Sequence, residues 1–316
     1  MIERPDANAL MAGPLGTWLA TQNDSRAEAK AKAQKYTFYG IVGAVSLGAF
    51  TLILFRDLQA TFIVGSICFG IGAALAAVAR KTVTDRIKSR INAEIAKALE
   101  LEYSASVTPG RTFERAKSFE LVPSYDDDSF EDLWWGVLGA QPFTLHEAKL
   151  TEEQGSGDNR RTVTVFEGSI ITVGFTRNFI GTTLIERKSE HRGFFGGVKQ
   201  RIKLNGVELN HIDMVDPRFE DHFSVWSDDG VEARYLVHPD YAERLTAVEQ
   251  AYAGKDIRAL FSEGELLIVV ETGDLFESGS LDAGDDRALV ARTIEQFTAL
   301  TELATKLNER PRAGFN

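Results

Sequence analysis

Residues 36–55, YTFYGIVGAVSLGAFTLILF, contain no Asp, Glu, Lys or Arg. After Arg56 and Asp57 a second uncharged run follows at once, 58–79, LQATFIVGSICFGIGAALAAVA. A helix of about twenty residues rises roughly 30 Å, the hydrocarbon thickness of a bilayer. Two such runs back to back predict a transmembrane helical hairpin; a cleaved leader would carry one apolar stretch, nearer the start. The turn, Arg56–Gln59, is short enough to hold the helices antiparallel and in contact. Small residues recur at every fourth position, Gly40, Ala44 and Gly48 on the first helix and Ser66, Gly70 and Ala74 on the second. That spacing lets backbones approach closely in lipid, within the hairpin or in a homo-oligomer.

The flanks are helical in character. Residues 24–35, DSRAEAKAKAQK, are good helix formers that extend the first membrane helix. A short interfacial or docking helix around 15–33 is expected, with disorder before it. Beyond the hairpin, Val83, Ile87, Ile91, Ile95 and Leu99 repeat at i, i+4, the stripe of an amphipathic helix. It reads as a stalk over 80–103, with an amphipathic membrane-surface helix as the alternative, and Pro109-Gly110 closes the helical region. Lys30, Lys32 and Lys35 precede the hairpin and Arg80, Lys81, Arg86, Lys88 and Arg90 follow it, against Arg56 alone in the turn. By the positive-inside rule both termini are expected in the cytoplasm, at a cell inner membrane.

The pattern changes over 104–316, where the expectation is an α+β domain: an antiparallel sheet with helices against one face. A helix capped by Asp or Ser is expected at 129–137, turning Leu133, Trp134 and Val137 inward. Residues 143–150 and 161–175 read as strands, with Phe166-Glu-Gly168 a bulge or close-approach point. Asn178 to Arg187 is expected to pair with 161–175. Asp229-Gly230 is read as a hairpin turn between Phe223–Trp226 and Val231–Val237, with Arg234 either reaching a carboxylate such as Asp216 or Glu220 or standing at the surface without a partner. Pro239 opens a helix over 239–252. Ser262-Glu263-Gly264 turns a second hairpin, and an amphipathic helix fills 283–308.

Charge refines the picture. The chain has 35 Lys and Arg against 46 Asp and Glu, a net −11. Residues 1–81 carry +3 and the remainder −14. No broad basic surface for nucleic acid is expected. The single cysteine, Cys68, lies in the second apolar run, which excludes an intramolecular disulfide and a thiol nucleophile outside the hairpin. His211-x-Asp213 and Asp221-His222 have the elements of a metal or acid–base pair, yet no HExxH, CxxC, GxSxG or phosphate-loop motif is present. The acidic stretch at Asp126–Asp132 lacks the spacing of a calcium loop. No catalytic, metal or cofactor residues are nominated. The one candidate contact region is a basic glycine loop at 188–203, with Lys188, Arg192, Lys199, Arg201 and Lys203 around Phe194 and Phe195. It would suit anionic headgroups or an acidic partner.

The stretch VDPRFEDHFSVWSDDGVEARYLVHPDYAERL (215–245) resembles the bacterial DUF3137 family, a domain of unknown function. Phe166-Glu-Gly168, Phe179-x-Gly181-Thr182, FSEGELLIVV (261–270) and Leu275-Phe276-Glu277 resemble it too, while Trp226 and His238 depart from it. The resemblance extends over about 100–308 plus the preceding hairpin. It implies architecture and location, not chemistry. The expectation is a membrane-anchored cytoplasmic scaffold or protein-interaction module, with the lipid bilayer and unknown proteins as partners. A headgroup-sensing domain is the alternative, and a membrane-associated enzyme the weaker one.

Overall fold

The computed structural model describes residues 5–175, 179–187, 199–214, 217–237, 239–273 and 279–308. The chain forms two compact units, which are taken in turn.

The first unit comprises Pro5–Glu94 and Glu277–Ala291. It opens with α1 (Ala7–Ala12) and α2 (Pro14–Thr21), so the disorder expected before residue 15 gives way to helix as early as Ala7. Asp6 accepts a hydrogen bond from the Asn8 amide and Pro14 starts α2, both ordinary ways to begin a helix. The third helix, α3 (Asn23–Phe55), runs without a break from the polar flank through the first apolar run. Arg56 adopts a left-handed conformation (φ 48°) and Asp57 accepts from the amides of Gln59 and Ala60, opening α4 (Leu58–Ala98). The turn is thus two residues, tighter than the expected Arg56–Gln59.

Both helices are long and apolar enough to cross a membrane, and only 11% of the most apolar window of each is buried. The first expected stripe packs as read. A Cβ on Gly40 would meet Gly72 Cα at 3.0 Å, and one on Gly48 would lie 3.6 Å from Thr61. The second stripe is corrected. Gly72 approaches Gly40 and the Tyr36 carbonyl and Gly65 approaches the Ala44 carbonyl, whereas a Cβ on Gly70 would meet nothing within 4 Å outside its own helix backbone. The contact face of α4 is Thr61, Gly65, Cys68 and Gly72, and Gly70 points away.

A polar helical collar completes this unit. Leu15, Leu19, Ala29, Ala33, Ile87 and Ile91 are buried. Gly279 lies against Thr84 and Lys88 on α4; a Cβ there would sit 2.1 Å from the Thr84 carbonyl oxygen. Arg26 Nη2 donates to both carboxylate oxygens of Asp286, at 2.7 and 2.9 Å, and the two side chains are 3% and 2% exposed.

The second unit is built on Ile95–Phe276 and Arg292–Asn316. Helix α4 stops at Ala98, and β1 (Leu101–Ser106) begins where the stalk reading still had helix. The remaining strands are β2 (Asp127–Leu138), β3 (Gln141–Gln154), β4 (Arg161–Gly174), β5 (Thr183–Arg187), β6 (Arg201–Leu204), β7 (Val207–Ile212), β8 (Phe223–Ser227), β9 (Asp256–Ser262) and β10 (Glu265–Glu271). They form one ten-stranded sheet among the described residues, in the order β1-β2-β3-β4-β10-β9-β5-β8-β7-β6. Every pairing is antiparallel. The fold is α+β.

One face is closed by α5 (Arg111–Ser118), whose Phe113 joins Leu150, Phe166, Ile170, Leu267 and Val269 in the main apolar cluster. The opposite face is covered by α8 (Pro239–Ala251) and α9 (Asp286–Asn308). Phe297 of α9 packs at a tilt against Trp134 (4.6 Å) and edge-on against Phe143 (6.1 Å), and Tyr241 of α8 packs at a tilt against Phe261 (5.5 Å). Helices therefore lie on both faces, where one was expected.

Three readings of the chain are corrected here. Residues 129–137 are strand: Asp132, Trp134 and Leu138 alternate inward, with a bulge between Glu131 and Trp134 that buries Asp132 beneath the Tyr103 hydroxyl (2.6 Å). Strand β5 pairs with β8 and β9, not β4. Asp229 does not turn a hairpin; its side chain accepts from the amides of Val231 and Glu232 and caps α7 (Gly230–Leu236). Arg234 lies on that helix and donates to the carbonyls of Asp213 and Gly230. The reading of Gly168 is borne out as a close approach, since a Cβ would sit 2.1 Å from the Val270 carbonyl oxygen.

Candidate functional site

Of the basic-loop residues, Lys188, Arg192, Phe194 and Phe195 lie outside the described residues. Lys199 is exposed just before the edge strand β6, and Arg201 and Lys203 occupy its outward positions, alternating with buried Ile202 and Leu204. Arg201 pairs with Glu208 on β7 at 2.9 Å, and Lys203 stands across from the same Glu208 in register. Charged side chains on an edge strand also discourage sheet-to-sheet association.

The histidine–carboxylate pair joins a mostly covered imidazole to an exposed carboxylate. His211 Nδ1 lies 3.5 Å from Asp213 Oδ1, and Asp213 is 90% exposed. The His211 ring packs edge-on against Trp226 at 5.1 Å, as a core-facing imidazole would. Among the described residues no group of three or more His, Cys, Asp or Glu could hold a metal ion. A different histidine is deeply set: His146 on β3 lies beside Phe130 (5.9 Å). Burial holds its pKa down at about 4, so the ring is neutral at pH 7.

The most organised polar geometry lies where the loop before β5 meets α7. Phe179 is buried edge-on against Phe175 (5.5 Å) and Phe261 (5.9 Å), anchoring the loop in the core. The next three amides all donate to carboxylates. Ile180 N reaches Glu232 Oε1 (3.1 Å), Gly181 N reaches Glu232 Oε2 (2.7 Å) and Thr182 N reaches Asp228 Oδ1 (2.7 Å). Successive amides of this kind form a concave anion-binding arrangement, and here the chain's own side chains fill it. Gly181 leaves room for them: a Cβ would lie 2.6 Å from Glu232 Oε2 and 2.8 Å from Asp228 Oδ1. The Ser227 hydroxyl completes the knot, donating to the Thr182 carbonyl and accepting from the Asp229 amide. The result holds Ile180 with its side chain 99% exposed, beside α7, whose Val231 and Tyr235 are 80% and 53% exposed.

Both halves stand out in the sequence, Phe179-x-Gly181-Thr182 and the stretch containing Asp228 and Glu232. The local pattern does not join them, since about fifty positions separate amide from acceptor.

Comparison with known proteins bears on those same stretches. Residues 164–309 match the family model described as "Protein of unknown function (DUF3137)". This part of the chain is similar to that family. The match begins inside β4 and leaves α1 to α5 and β1 to β3 outside it, so it is shorter than the 100–308 plus hairpin covered by the resemblance. It does contain both partners of the carboxylate knot. No curated protein matches the chain. A crystal structure of the mycobacterial trehalose monomycolate transport factor A, TtfA, aligns with 72% of this chain and 99% of its own. The TM-score is 0.39 at 11% identity, and a likeness at that level carries no argument about function.

Proposed function

We propose that this protein is a membrane-anchored interaction module: α3 and α4 cross the bilayer as a hairpin, and both termini and the sheet domain lie on the cytoplasmic side. The observation that carries the reading is the hairpin's surface. Phe38, Val45, Ile53, Phe55, Phe62 and Val78 are all 60% exposed or more. In water, an apolar surface of that extent on one hairpin is unfavourable by about 25 cal/mol per Å²; in hydrocarbon it is at rest. Orientation follows from the cationic flanks, chiefly Lys30, Lys32, Lys35, Arg80, Lys81 and Arg86.

Reporter fusions at residues 20 and 316 test it: both should score cytoplasmic, and a reporter between Arg56 and Asp57 should score on the far side. A far-side score at residue 316 defeats the topology. The headgroup-sensing alternative keeps Lys199 and Lys203 as exposed cations, with Arg201 committed to Glu208. Salt-sensitive recruitment of anionic vesicles by the full chain in nanodiscs, lost when Lys199, Arg201 and Lys203 become glutamine, would replace the module reading with it.

A further inference from the structure

The three-amide knot around Glu232 and Asp228 immobilises a loop whose outward product is one apolar side chain. Ile180 is 99% exposed, so nothing in its own packing repays its fixed position. Two bonds to Glu232 and one to Asp228 hold the backbone on either side of it, and Phe179 pins the preceding residue in the core. Val231 and Tyr235, one turn apart and exposed, stand on α7, the helix whose Glu232 grips the Ile180 amide. A rigid, exposed aliphatic residue next to a tyrosine is the composition of a binding hot spot, and prior fixation lowers the entropic cost of docking.

The rim indicates the occupant. Among the described residues, Asp228, Asp229 and Glu232 lie beside the patch, and Asp213 and Arg234 adjoin it on the other side of α7. Such a rim repels anionic headgroups, and it would set like charges face to face if two copies met through this surface. It complements lysines and arginines.

Resting on the interaction-module reading, we infer that the Ile180–Val231–Tyr235 surface is the docking site for a protein partner that offers an apolar socket rimmed by basic side chains. The knot is the positioning element: Glu232 and Asp228 present Ile180, and the carboxylate rim selects the partner by charge.

The test replaces Ile180 with p-benzoylphenylalanine in the full-length chain in its own cells, with Lys203 replaced likewise as a control surface. Irradiation should give an adduct with a distinct protein from position 180 and not from 203. That protein, purified, should bind the full chain in nanodiscs with an affinity that falls as salt rises. Ile180→Asp should weaken binding at least tenfold with its melting midpoint unchanged, and Asp213→Lys should flatten the salt dependence. Adducts only with lipid, or only with a second copy, overturn the assignment, as does an affinity indifferent to Ile180→Asp. If a protein still copurifies equally with Ile180→Asp, the module reading stands and this surface falls. If none copurifies with the wild-type chain, the module reading itself falls.

Discussion

Removing one side of the Arg26–Asp286 pair should damage the protein more than removing both. Each side chain is nearly sealed from water, at 3% and 2% exposure. Only Nη2 of Arg26 is engaged by Asp286; Nε and Nη1 are buried without a hydrogen-bond partner. Burial pushes the Asp286 carboxyl above its ordinary pKa, and the Arg26 guanidinium only partly offsets it. The pair is thus a poorly compensated ion pair, for which breaking is costly and joint apolar replacement is not.

Asp286→Leu leaves a buried guanidinium alone, and Arg26→Met leaves a buried carboxylate; each should destabilise by about 3–5 kcal/mol. At roughly 2 °C per kcal/mol for a chain of this size, the midpoint falls by about 6–10 °C. The double variant should return to within a few degrees of wild type. Heating a chain with two such long apolar helices is seldom reversible, so midpoints belong at one scan rate, read by fluorescence in detergent. Limited trypsin digestion adds a local readout, because loosening of the collar exposes Arg26, Lys30 and Lys32 to cleavage. Single variants that melt and resist trypsin like wild type would refute the argument, and a double variant worse than either single would show that the pair contributes net stability. The linkage sign agrees. An acid whose pKa is raised on folding favours the protonated native state, so this carboxyl's contribution weakens as pH climbs from its unfolded value through its raised folded value.

Within the hairpin, Gly43→Cys should form a disulfide with Cys68 under mild oxidation, since a Cβ at Gly43 lies 3.7 Å from Cys68 Cβ and bridged cysteines have Cβ atoms about 3.5–4.5 Å apart; absence of a bridge by mass spectrometry would contradict the helix register. Gly72→Ala should lower the melting midpoint while Gly70→Ala leaves it unchanged, because a Cβ at Gly72 meets Gly40 Cα at 2.6 Å and one at Gly70 meets nothing within 4 Å. Equal effects would place the contact stripe elsewhere. In the sheet domain, His146 has a native pKa of about 4 against an ordinary 6.5. The unfolded chain then binds the proton first, and stability should fall as pH drops from about 6.5 towards 4, by about 3 kcal/mol in all. His146→Leu should remove that part of the acid slope, and an unchanged slope in urea titrations would exonerate His146.

Local signals were legible and long-range ones were not. The Glu263-Gly264 turn carries positive φ at both positions (55° and 77°), and the strands on either side pair as expected. Asn205-Gly206 does the same for β6 and β7 (47° and 78°); Asn-Gly between alternating residues is a hairpin signal in its own right, just beyond the stretch read as a loop. Asp229-Gly230 was ambiguous because aspartate caps helices as readily as it turns hairpins, and the choice fell to the amides of Val231 and Glu232. At 129–137, the apolar positions fit either period over so short a window, and neighbouring β1 and β3 decided for strand. The partners of β5 lie on strands about forty and seventy-five positions away, a separation that no local pattern encodes. The same distance hid the carboxylate knot, although each of its halves drew attention alone.

The boundary of the matched region, at residue 164, falls within β4 and so is not a folding boundary. Strands β4 to β10 are contiguous in the sheet, β4-β10-β9-β5-β8-β7-β6, so residues 164–309 could in principle pair among themselves. Yet β4 pairs with β3 along nearly its whole length, from Arg161 opposite Gln154 to Val173 opposite Phe143. Cut at 164, it would become a long edge with unpaired backbone and apolar residues on both faces, the arrangement proteins avoid. Phe166 and Ile170 would also lose Ala148, Leu150 and Phe113 from the shared cluster, and Phe297 would lose Phe143 and Trp134. The meander β1–β2–β3 therefore belongs to the core of the folded unit even though the family model does not include it. The knot of Glu232 and Asp228 lies on the far side of β9 from that cut, among β5, β8 and α7, inside the matched region and away from the strands that complete the sheet.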